Sequence, residues 1–109
     1  MGGEGQPQTQ AAVFARYHYE GLDLKTAISK GRWLLGRTWG DSNSDLKLEQ
    51  DLADAAGAEL TQLGHQFRTV PACNEMMGHA GAIALAPDGS VVVASDPRSD
   101  GSAPIGKAA

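Results

Sequence analysis

A predicted β-hairpin late in the chain, apolar on both faces, is the feature that most constrains the fold. Residues 80–86 and 90–95 read as two strands joined by Pro87-Asp88-Gly89. Proline and aspartate suit the two central positions of a type I turn, and the glycine that follows can take the left-handed conformation of a bulge. In the first strand alanines at 80, 82 and 84 alternate with Gly81, Ile83 and Leu85, and residues 91–93 are all valine. Both faces of the hairpin are therefore expected to be buried.

Two helices are predicted ahead of the first strand. The first covers residues 8–19, has Pro7 in its opening turn, and ends at Gly21. Its apolar residues recur at spacings of three and four: Ala11, Ala12, Phe14, Ala15 and Tyr19. Asp23 caps a second, short helix that Gly31 ends. The expected buried stripe of this second helix is Leu24, Ala27 and Ile28.

The sequence pattern in the middle of the chain predicts two strands, then a helix, then a third strand. Residues 32–38 form the first of these strands, and residues 40–44 form a polar loop. In the second strand Leu46 and Leu48 alternate with Lys47 and Glu49, which predicts one face in solvent. A third helix follows, with apolar residues Leu52, Ala55, Ala56, Leu60 and Leu63 and a stop at Gly64. Residues 66–70 form the next strand.

This order predicts an α+β fold in which helices cover one face of a mostly antiparallel sheet. All 109 residues form one domain with a modest core, and residues 96–109 form a Gly/Pro/Ser-rich surface tail. Nothing remains to cover the second sheet face. We therefore expect either a homo-oligomer, most simply a dimer, or a missing upstream subunit or segment that covers this face.

Charge and composition exclude several classes of partner. The net charge is −4, and the nine basic residues are scattered along the chain, which argues against nucleic acid as a partner. No apolar run approaches the ~20 residues that span a bilayer, and the first ten residues lack the pattern of a signal peptide. We predict neither a membrane partner nor a cofactor, and the compartment stays open.

Isolated reactive residues favour structural roles. Cys73 is the only cysteine, so it forms no internal disulfide, and a small buried apolar role is favoured over a nucleophile. Three histidines, His18, His65 and His79, lie too far apart in sequence for a recognisable metal-ligand pair. No metal site is predicted.

Two further groups of residues could have either a binding role or a structural role. Asp96, Arg98 and Asp100 could hold an ion, but an ion pair or turn scaffold is favoured. Trp33 and Trp39 share a strand face, where packing is favoured over a stacking platform for a ligand.

Three stretches in the expected order resemble the small subunit of the gamma-glutamyltransferase family. A double glycine precedes a helix, a short helix and an arginine-containing strand in GGEGQPQTQAAVFARYHYEGLDLKTAISKGRWLLG. The final hairpin of the family is similar to MGHAGAIALAPDGSVVVASDPRSDG, and its near-terminal signature is similar to SDPRSDGSAPIG. The resemblance covers nearly the whole chain and places it in the C-terminal part of that subunit.

The resemblance implies the αββα sandwich of an N-terminal-nucleophile hydrolase, whose precursor cleaves itself to expose a threonine. Gly2 and Gly3 match the backbone donors of the family's oxyanion hole, each worth about 3–4 kcal/mol in an intact enzyme. The nucleophile lies upstream of Met1 in the family. None of the internal threonines stands in its processing context: Thr9, Thr26, Thr38, Thr61 and Thr69.

Two functions follow as expectations. The first is a truncated gamma-glutamyltransferase-like domain without its catalytic threonine, inactive alone, whose parent transfers or hydrolyses gamma-glutamyl groups through an acyl-enzyme. The alternative is a non-catalytic module from the same family that self-associates or binds another protein.

Overall fold

The computed structural model describes residues 5–36 and 45–104, and its element order confirms the predicted one. In chain order the elements are α1 (Gln6–Phe14), a π-helical turn (Ala15–Tyr19), α2 (Leu24–Ser29), β1 (Trp33–Leu35), β2 (Leu46–Glu49), α3 (Gln50–Gln62), β3 (Phe67–Val70), a 3₁₀ turn (Glu75–Met77), β4 (Gly81–Leu85) and β5 (Val91–Ser95). The end of the predicted first strand at Thr38, the loop at 40–44 and Trp39 lie outside the described residues.

The strands within the described residues form two sheets and confirm the α+β class. The first has the order β1-β2-β3 and the second is the hairpin β4-β5. β1–β2 and β4–β5 are antiparallel, whereas β2–β3 is parallel. A parallel pair needs a crossover connection, and α3 supplies it between β2 and β3. Gly57 lets α3 approach this sheet closely, since a Cβ there would lie 2.9 Å from the Phe67 ring.

The second helix begins as predicted but ends for a different reason. Asp23 caps α2 by accepting hydrogen bonds from the Thr26 N–H and hydroxyl, both at 2.8 Å. Lys30, with φ −61° and ψ 149°, leaves the helix in extended conformation. Gly31 is not in the left-handed region, so its expected role as a stop is wrong. It permits a close approach instead: a Cβ there would lie 2.6 Å from Asp51 Oδ1 and 2.9 Å from Leu52 N.

The stripe of α1 and its π-helical turn that faces the protein is partly polar. Thr9 and Arg16 are buried and Val13 packs on the core. Phe14 and Tyr19, from the predicted apolar set, are exposed. The Thr9 hydroxyl donates to the Met77 carbonyl at 3.1 Å. The Arg16 guanidinium donates to the carbonyls of Lys30 and Gly31. Hydrogen bonds therefore hold this helix against the protein together with the packing of Val13.

Two buried apolar clusters make up the core of the described residues. One joins Leu24 and Ile28 of α2 to Ala94 of β5, and the other joins Leu34, Val70 and Met77. The first confirms the predicted stripe of α2, since Ala27 is buried beside it. The loop between β3 and β4 links the two clusters, because its Met77 belongs to the second cluster and its Ala80 packs against the first.

The prediction that β2 has one face in solvent is wrong. Lys47 and Glu49 are both 0% exposed. β2 is the central strand of its sheet, so neighbours flank it on both edges. The Lys47 ammonium donates to the Gly36 carbonyl at 2.8 Å and lies 2.8 Å from Asp45 Oδ1. Pairing of this kind permits burial of a charge that alternation alone assigns to water.

The hairpin turn forms as predicted. Gly89 has φ +88°, its N–H donates to the Ala86 carbonyl at 2.9 Å, and the Ala86 N–H donates to the Ser90 carbonyl at 2.8 Å. One face of the hairpin packs on the helices through Ala82, Ala84 and Ala94. Burial of both faces is not what the described residues show, because Ile83 is 76% exposed and Leu85 is 73% exposed.

Candidate functional site

Four charged side chains form a buried ion-pair cluster at the junction of both sheets: Arg32, Glu49, Asp96 and Arg98. Arg32 lies between α2 and β1, Glu49 ends β2, and Asp96 and Arg98 follow β5. The two guanidinium groups and two carboxylates balance in formal charge. Oppositely charged partners in direct contact offset the cost of removing each group from water.

Arg98 is the most connected member of the cluster. Its side chain donates twice to the Glu49 carboxylate, once through Nε at 2.8 Å. It also donates to Asp96 Oδ1 at 3.0 Å, to the Ile28 carbonyl at 3.0 Å and to the Lys30 carbonyl at 3.2 Å. One side chain thus satisfies two carbonyls at the C-terminal end of α2 and joins β2 to the segment after β5.

Arg32 extends the cluster toward the loop before β4. Its Nη2 donates to Asp96 Oδ2 at 2.7 Å and to the Ile28 carbonyl at 2.8 Å. Its Nη1 donates to the Met77 carbonyl at 3.1 Å and to the Gly78 carbonyl at 3.3 Å. Arg32 Nε is buried without a hydrogen-bond partner among the described residues. Since Thr9 donates to the same Met77 carbonyl, the cluster is connected to α1.

The carboxylates also hold backbone N–H groups. Asp96 Oδ2 accepts from the Ala80 N–H at 2.7 Å, and Glu49 accepts from the N–H groups of Arg32 and Asn74, both at 2.8 Å. The predicted ion-pair role of Asp96 and Arg98 is confirmed, whereas Asp100 is exposed. Burial of Asp96 and Arg98 also corrects the prediction of a surface tail beginning at residue 96.

Burial by itself raises the pKa of the Asp96 carboxyl, but hydrogen bonds from Ala80, Arg98 and Arg32 more than offset it and hold that pKa below its ordinary value. A carboxylate with a depressed folded-state pKa stabilises the fold above its unfolded pKa of about 3.9, and this stability is lost as the pH falls through the folded-state pKa. We expect the urea midpoint to fall when the pH is lowered from 7 through 4 to 2. The urea midpoint of the Asp96→Asn variant should fall less over the same pH range. An equal fall in the variant and the unmodified protein would contradict the assignment of this pH dependence to Asp96.

A groove of about 550 Å³ lies between α1 and the hairpin. One wall consists of side chains of α1 and the π-helical turn, and the other is the whole of β4: Gln6, Gln10, Val13, Phe14 and Tyr17 face Gly81–Leu85. None of the described residues that line the groove is Lys, Arg, Asp or Glu. The groove begins beside the first turn of α1, which the double glycine precedes in sequence.

The residues proposed from the resemblance, Gly2 and Gly3, lie outside the described residues. Of the histidines, His79 lines the groove and His18 stacks on the exposed Phe14 ring at 5.1 Å. No group of three His, Cys, Asp or Glu side chains able to hold a metal ion occurs within residues 5–36 and 45–104.

The lone cysteine does not take the buried position that we expected. Cys73 is exposed and has φ +53°, in the loop between β3 and the 3₁₀ turn. Trp33 is partly exposed on β1. Within the described residues no helix combines the length and the apolar character needed to cross a membrane.

The sequence alone did not identify Arg32 and Glu49 as members of the ion-pair cluster. Each stands in a segment that alternation assigns to an ordinary strand, and Glu49 and Arg98 are 49 residues apart. Sequence spacing holds no signal for such a pair. A weak signal was available in the family signature around Asp96 and Arg98, since two opposite charges two residues apart at the end of a strand need partners when they are buried.

Known proteins match almost all of the chain. A profile of the gamma-glutamyltranspeptidase family matches residues 1–105. The oxamate amidohydrolase proenzyme of Klebsiella pneumoniae is 54% identical over 103 residues, which are 94% of this chain and 20% of that protein. The glutathione hydrolase-like YwrD proenzyme of Bacillus subtilis is 40% identical over the same shares. The chain therefore spans about a fifth of the length of these relatives.

Solved structures agree on the fold. A gamma-glutamyltranspeptidase from Pseudomonas nitroreducens superposes with a TM-score of 0.68 at 20% identity, covering 91% of this chain and 49% of that one. The resemblance in sequence and the mixed α+β architecture thus agree. This chain belongs to the gamma-glutamyltranspeptidase family.

Proposed function

We propose that this chain is the oxyanion-hole portion of a gamma-glutamyltransferase-like enzyme and that it has no turnover alone. Gly2 and Gly3 supply the backbone donors, and the threonine nucleophile comes from a part of the enzyme that the chain does not contain. The observation that carries the proposal is the anchoring of α1, which follows these glycines. Thr9 donates to the Met77 carbonyl, which also accepts from Arg32 of the ion-pair cluster.

This anchoring matters because oxyanion stabilisation depends on donors fixed before the reaction. The threonine hydroxyl oxygen adds to the amide carbonyl, and its proton passes through the threonine's own amino group to the leaving amine. The carbonyl oxygen carries the negative charge of the tetrahedral intermediate and accepts hydrogen bonds from the backbone N–H groups. The C–N bond then breaks to leave an ester, and water or a second amine takes the acyl group.

The acyl group that we favour is gamma-glutamyl, as the family implies. Hydrolysis of a smaller amide, oxamate, is a second candidate because the oxamate amidohydrolase proenzyme is 54% identical to this chain and the glutathione hydrolase-like protein is 40% identical. We propose the same acyl-enzyme chemistry and the same oxyanion donors for both reactions.

The test replaces the matched 103 residues of the Klebsiella proenzyme by this chain. We expect the chimera to release 4-nitroaniline from a gamma-glutamyl anilide or ammonia from oxamate, and the 109-residue chain alone to release neither. In an active chimera Gly2→Pro, which removes a backbone N–H, should lower kcat by roughly 10²–10³-fold. Gly5→Pro is the matched control, since the φ of Gly5, −81°, already suits proline. Turnover by the isolated chain, or equal effects of the two prolines, would contradict the proposal.

The exposed hairpin face, with Ile83 and Leu85, favours a second function, that of a non-catalytic module that self-associates. Sedimentation velocity distinguishes it. A stable dimer of the isolated chain at micromolar concentration, together with an inactive chimera, would support the module, whereas a monomer would exclude self-association at that concentration.

A further inference from the structure

The Gln8 side chain, in the first turn of α1, binds the backbone of β1 as a residue of a neighbouring strand would. Its Nε2 donates to the Leu35 carbonyl at 2.8 Å, and its Oε1 accepts from the Leu35 N–H at 2.7 Å. The two residues are 27 positions apart in sequence. One side chain thus satisfies both polar backbone groups of a strand residue, as the opposing residue of an antiparallel strand does.

The groups that Gln8 binds lie on the edge of β1 that faces away from β2. The Gly36 N–H donates to the carbonyl of Asp45, which precedes β2, at 3.1 Å. In an antiparallel pair alternate residues direct both backbone groups at the partner strand, so Leu34 faces β2 and the N–H and C=O groups of Leu35 face the opposite edge. Among the described residues no strand pairs with that edge. Gln8 therefore binds backbone groups that an edge strand otherwise leaves open.

The first turn of α1 is held by contacts on two of its sides. Gly5 is the N-cap residue and has no side chain to accept a first-turn N–H. Gln8 binds the first sheet, and the next residue, Thr9, binds the Met77 carbonyl at 3.1 Å. Consecutive helical residues point about 100° apart around the axis, at 3.6 residues per turn. Two contacts at this angle fix both the rotation of the turn about its axis and its distance from the first sheet, which neither contact does alone.

We propose that Gln8 is a positioning residue for the oxyanion donors. The inference rests on the proposed function, in which Gly2 and Gly3 supply these donors, and Gly3 stands five residues before Gln8 in the sequence. Donors stabilise an oxyanion when they are fixed before the charge develops, and a misplacement of about 1 Å can cost roughly 100-fold in rate. Gln8 acts through the backbone that joins it to the glycines and needs no contact with the substrate.

The test introduces Gln8→Leu into the active Klebsiella chimera, because leucine keeps much of the side-chain volume and removes both hydrogen bonds. The concentration of cleaved precursor is used to calculate kcat, so that a change in self-cleavage does not count as a change in turnover. We expect kcat to fall by about tenfold and KM to change by less than about twofold, since a misplaced donor weakens an interaction made in the transition state. Gln62→Leu, at an exposed glutamine that ends α3, is the matched control and should leave both constants unchanged.

Gln8→Glu gives a readout that a general loss of stability does not move. A protonated carboxyl has the donor and the acceptor that bind Leu35, whereas an ionised one has acceptors only and faces the Leu35 carbonyl. The contact therefore raises the pKa of the introduced carboxyl above its ordinary value of about 4.3. We expect kcat, as a fraction of that of the unmodified chimera, to rise severalfold as the pH falls from about 8 to about 5. For Gln8→Leu this fraction should not vary with pH.

Hydrogen–deuterium exchange checks the contact itself without turnover. In the unmodified 109-residue chain the Leu35 amide should exchange slowly, because Gln8 accepts its hydrogen bond. In Gln8→Leu the same amide should exchange at least about tenfold faster, while the Leu34 amide, which faces β2, changes little. A Leu35 amide that exchanges at the same rate in both proteins would overturn the proposal.

The outcomes separate this proposal from the proposed function. An unmodified chimera without turnover would reject the proposed function and with it any positioning role. An active chimera in which Gln8→Leu retains its kcat, or loses no more than Gln62→Leu loses, would reject the positioning role alone. If Gln8→Leu does not fold, Gln8→Glu decides the matter: turnover restored by lowering the pH supports the role, and a fraction independent of pH rejects it.

Discussion

Arg98→Met is expected to destabilise the fold by about 3–5 kcal/mol, the usual cost of removing one partner from a buried ion pair. Arg98 contacts the carboxylates of Glu49 and Asp96 and the carbonyls of Ile28 and Lys30. Methionine keeps much of the length of the side chain and none of its donors, so two buried carboxylates lose a counter-charge together. The free energy of unfolding of a domain of this size is on the order of 5–10 kcal/mol. The variant should therefore be largely unfolded at low denaturant concentration.

The measurement is the urea midpoint by circular dichroism, and Arg68→Met is the matched control. Arg68 lies 3.2 Å from Asp45, but both side chains are about two-fifths exposed. Exposed pairs contribute little because water and salt screen them. We expect the control to leave the midpoint nearly unchanged. Equal shifts in the two variants would mean that the buried cluster does not stabilise the fold as its geometry indicates.

Gly31→Ala is expected to cost about 1–3 kcal/mol, the range for overpacking a close contact. The added Cβ would lie 2.6 Å from Asp51 Oδ1 and 2.9 Å from the Leu52 backbone nitrogen. The Asp51 side chain can rotate away, but the backbone of α3 cannot move without disturbing the end of β2. That end carries Glu49, so the strain should reach the ion-pair cluster.

Gly81→Ala separates this contact from the general effect of replacing a glycine. No atom lies within 4 Å of a Cβ at Gly81, and its φ is outside the left-handed region. The lower entropy of the unfolded alanine chain should make this variant neutral or more stable by up to about 1 kcal/mol. Thermal unfolding of both variants decides the matter: a Gly31→Ala protein as stable as Gly81→Ala would show that the approach of Gly31 to α3 can relax freely.

Local elements were predictable because local chemistry specifies them. Asp23 binds the Thr26 N–H three residues ahead, and Gly89 takes the positive φ that its turn requires. The stripe of α2 follows from helical period alone. For the same reason the third helix was identified with its stop at Gly64, which has φ +92°. In each case the partner lies within one turn of the residue that specifies the structure.

The candidate site was not predictable in this way. Period-two alternation placed Lys47 and Glu49 in water, because a charge is costly to bury unless partners surround it. Those partners are the carbonyl of Gly36 and the side chain of Arg98, the second of which is 49 residues away from Glu49. Likewise Thr9 and Met77 meet across 68 residues. No spacing rule connects positions that only the folded chain brings together.

The sequence by itself determined the order of helices and strands and the hairpin turn, since these depend on neighbouring residues. It also determined the family, since the family motifs occur along the chain in the expected order. Only the tertiary structure decided that Asp96 and Arg98 are buried with Arg32 and Glu49, and that no described strand pairs with one edge of β4. The physical reason is that burial of a charge and exposure of an edge are properties of the assembled layers. Both depend on which distant segments come to lie against each residue.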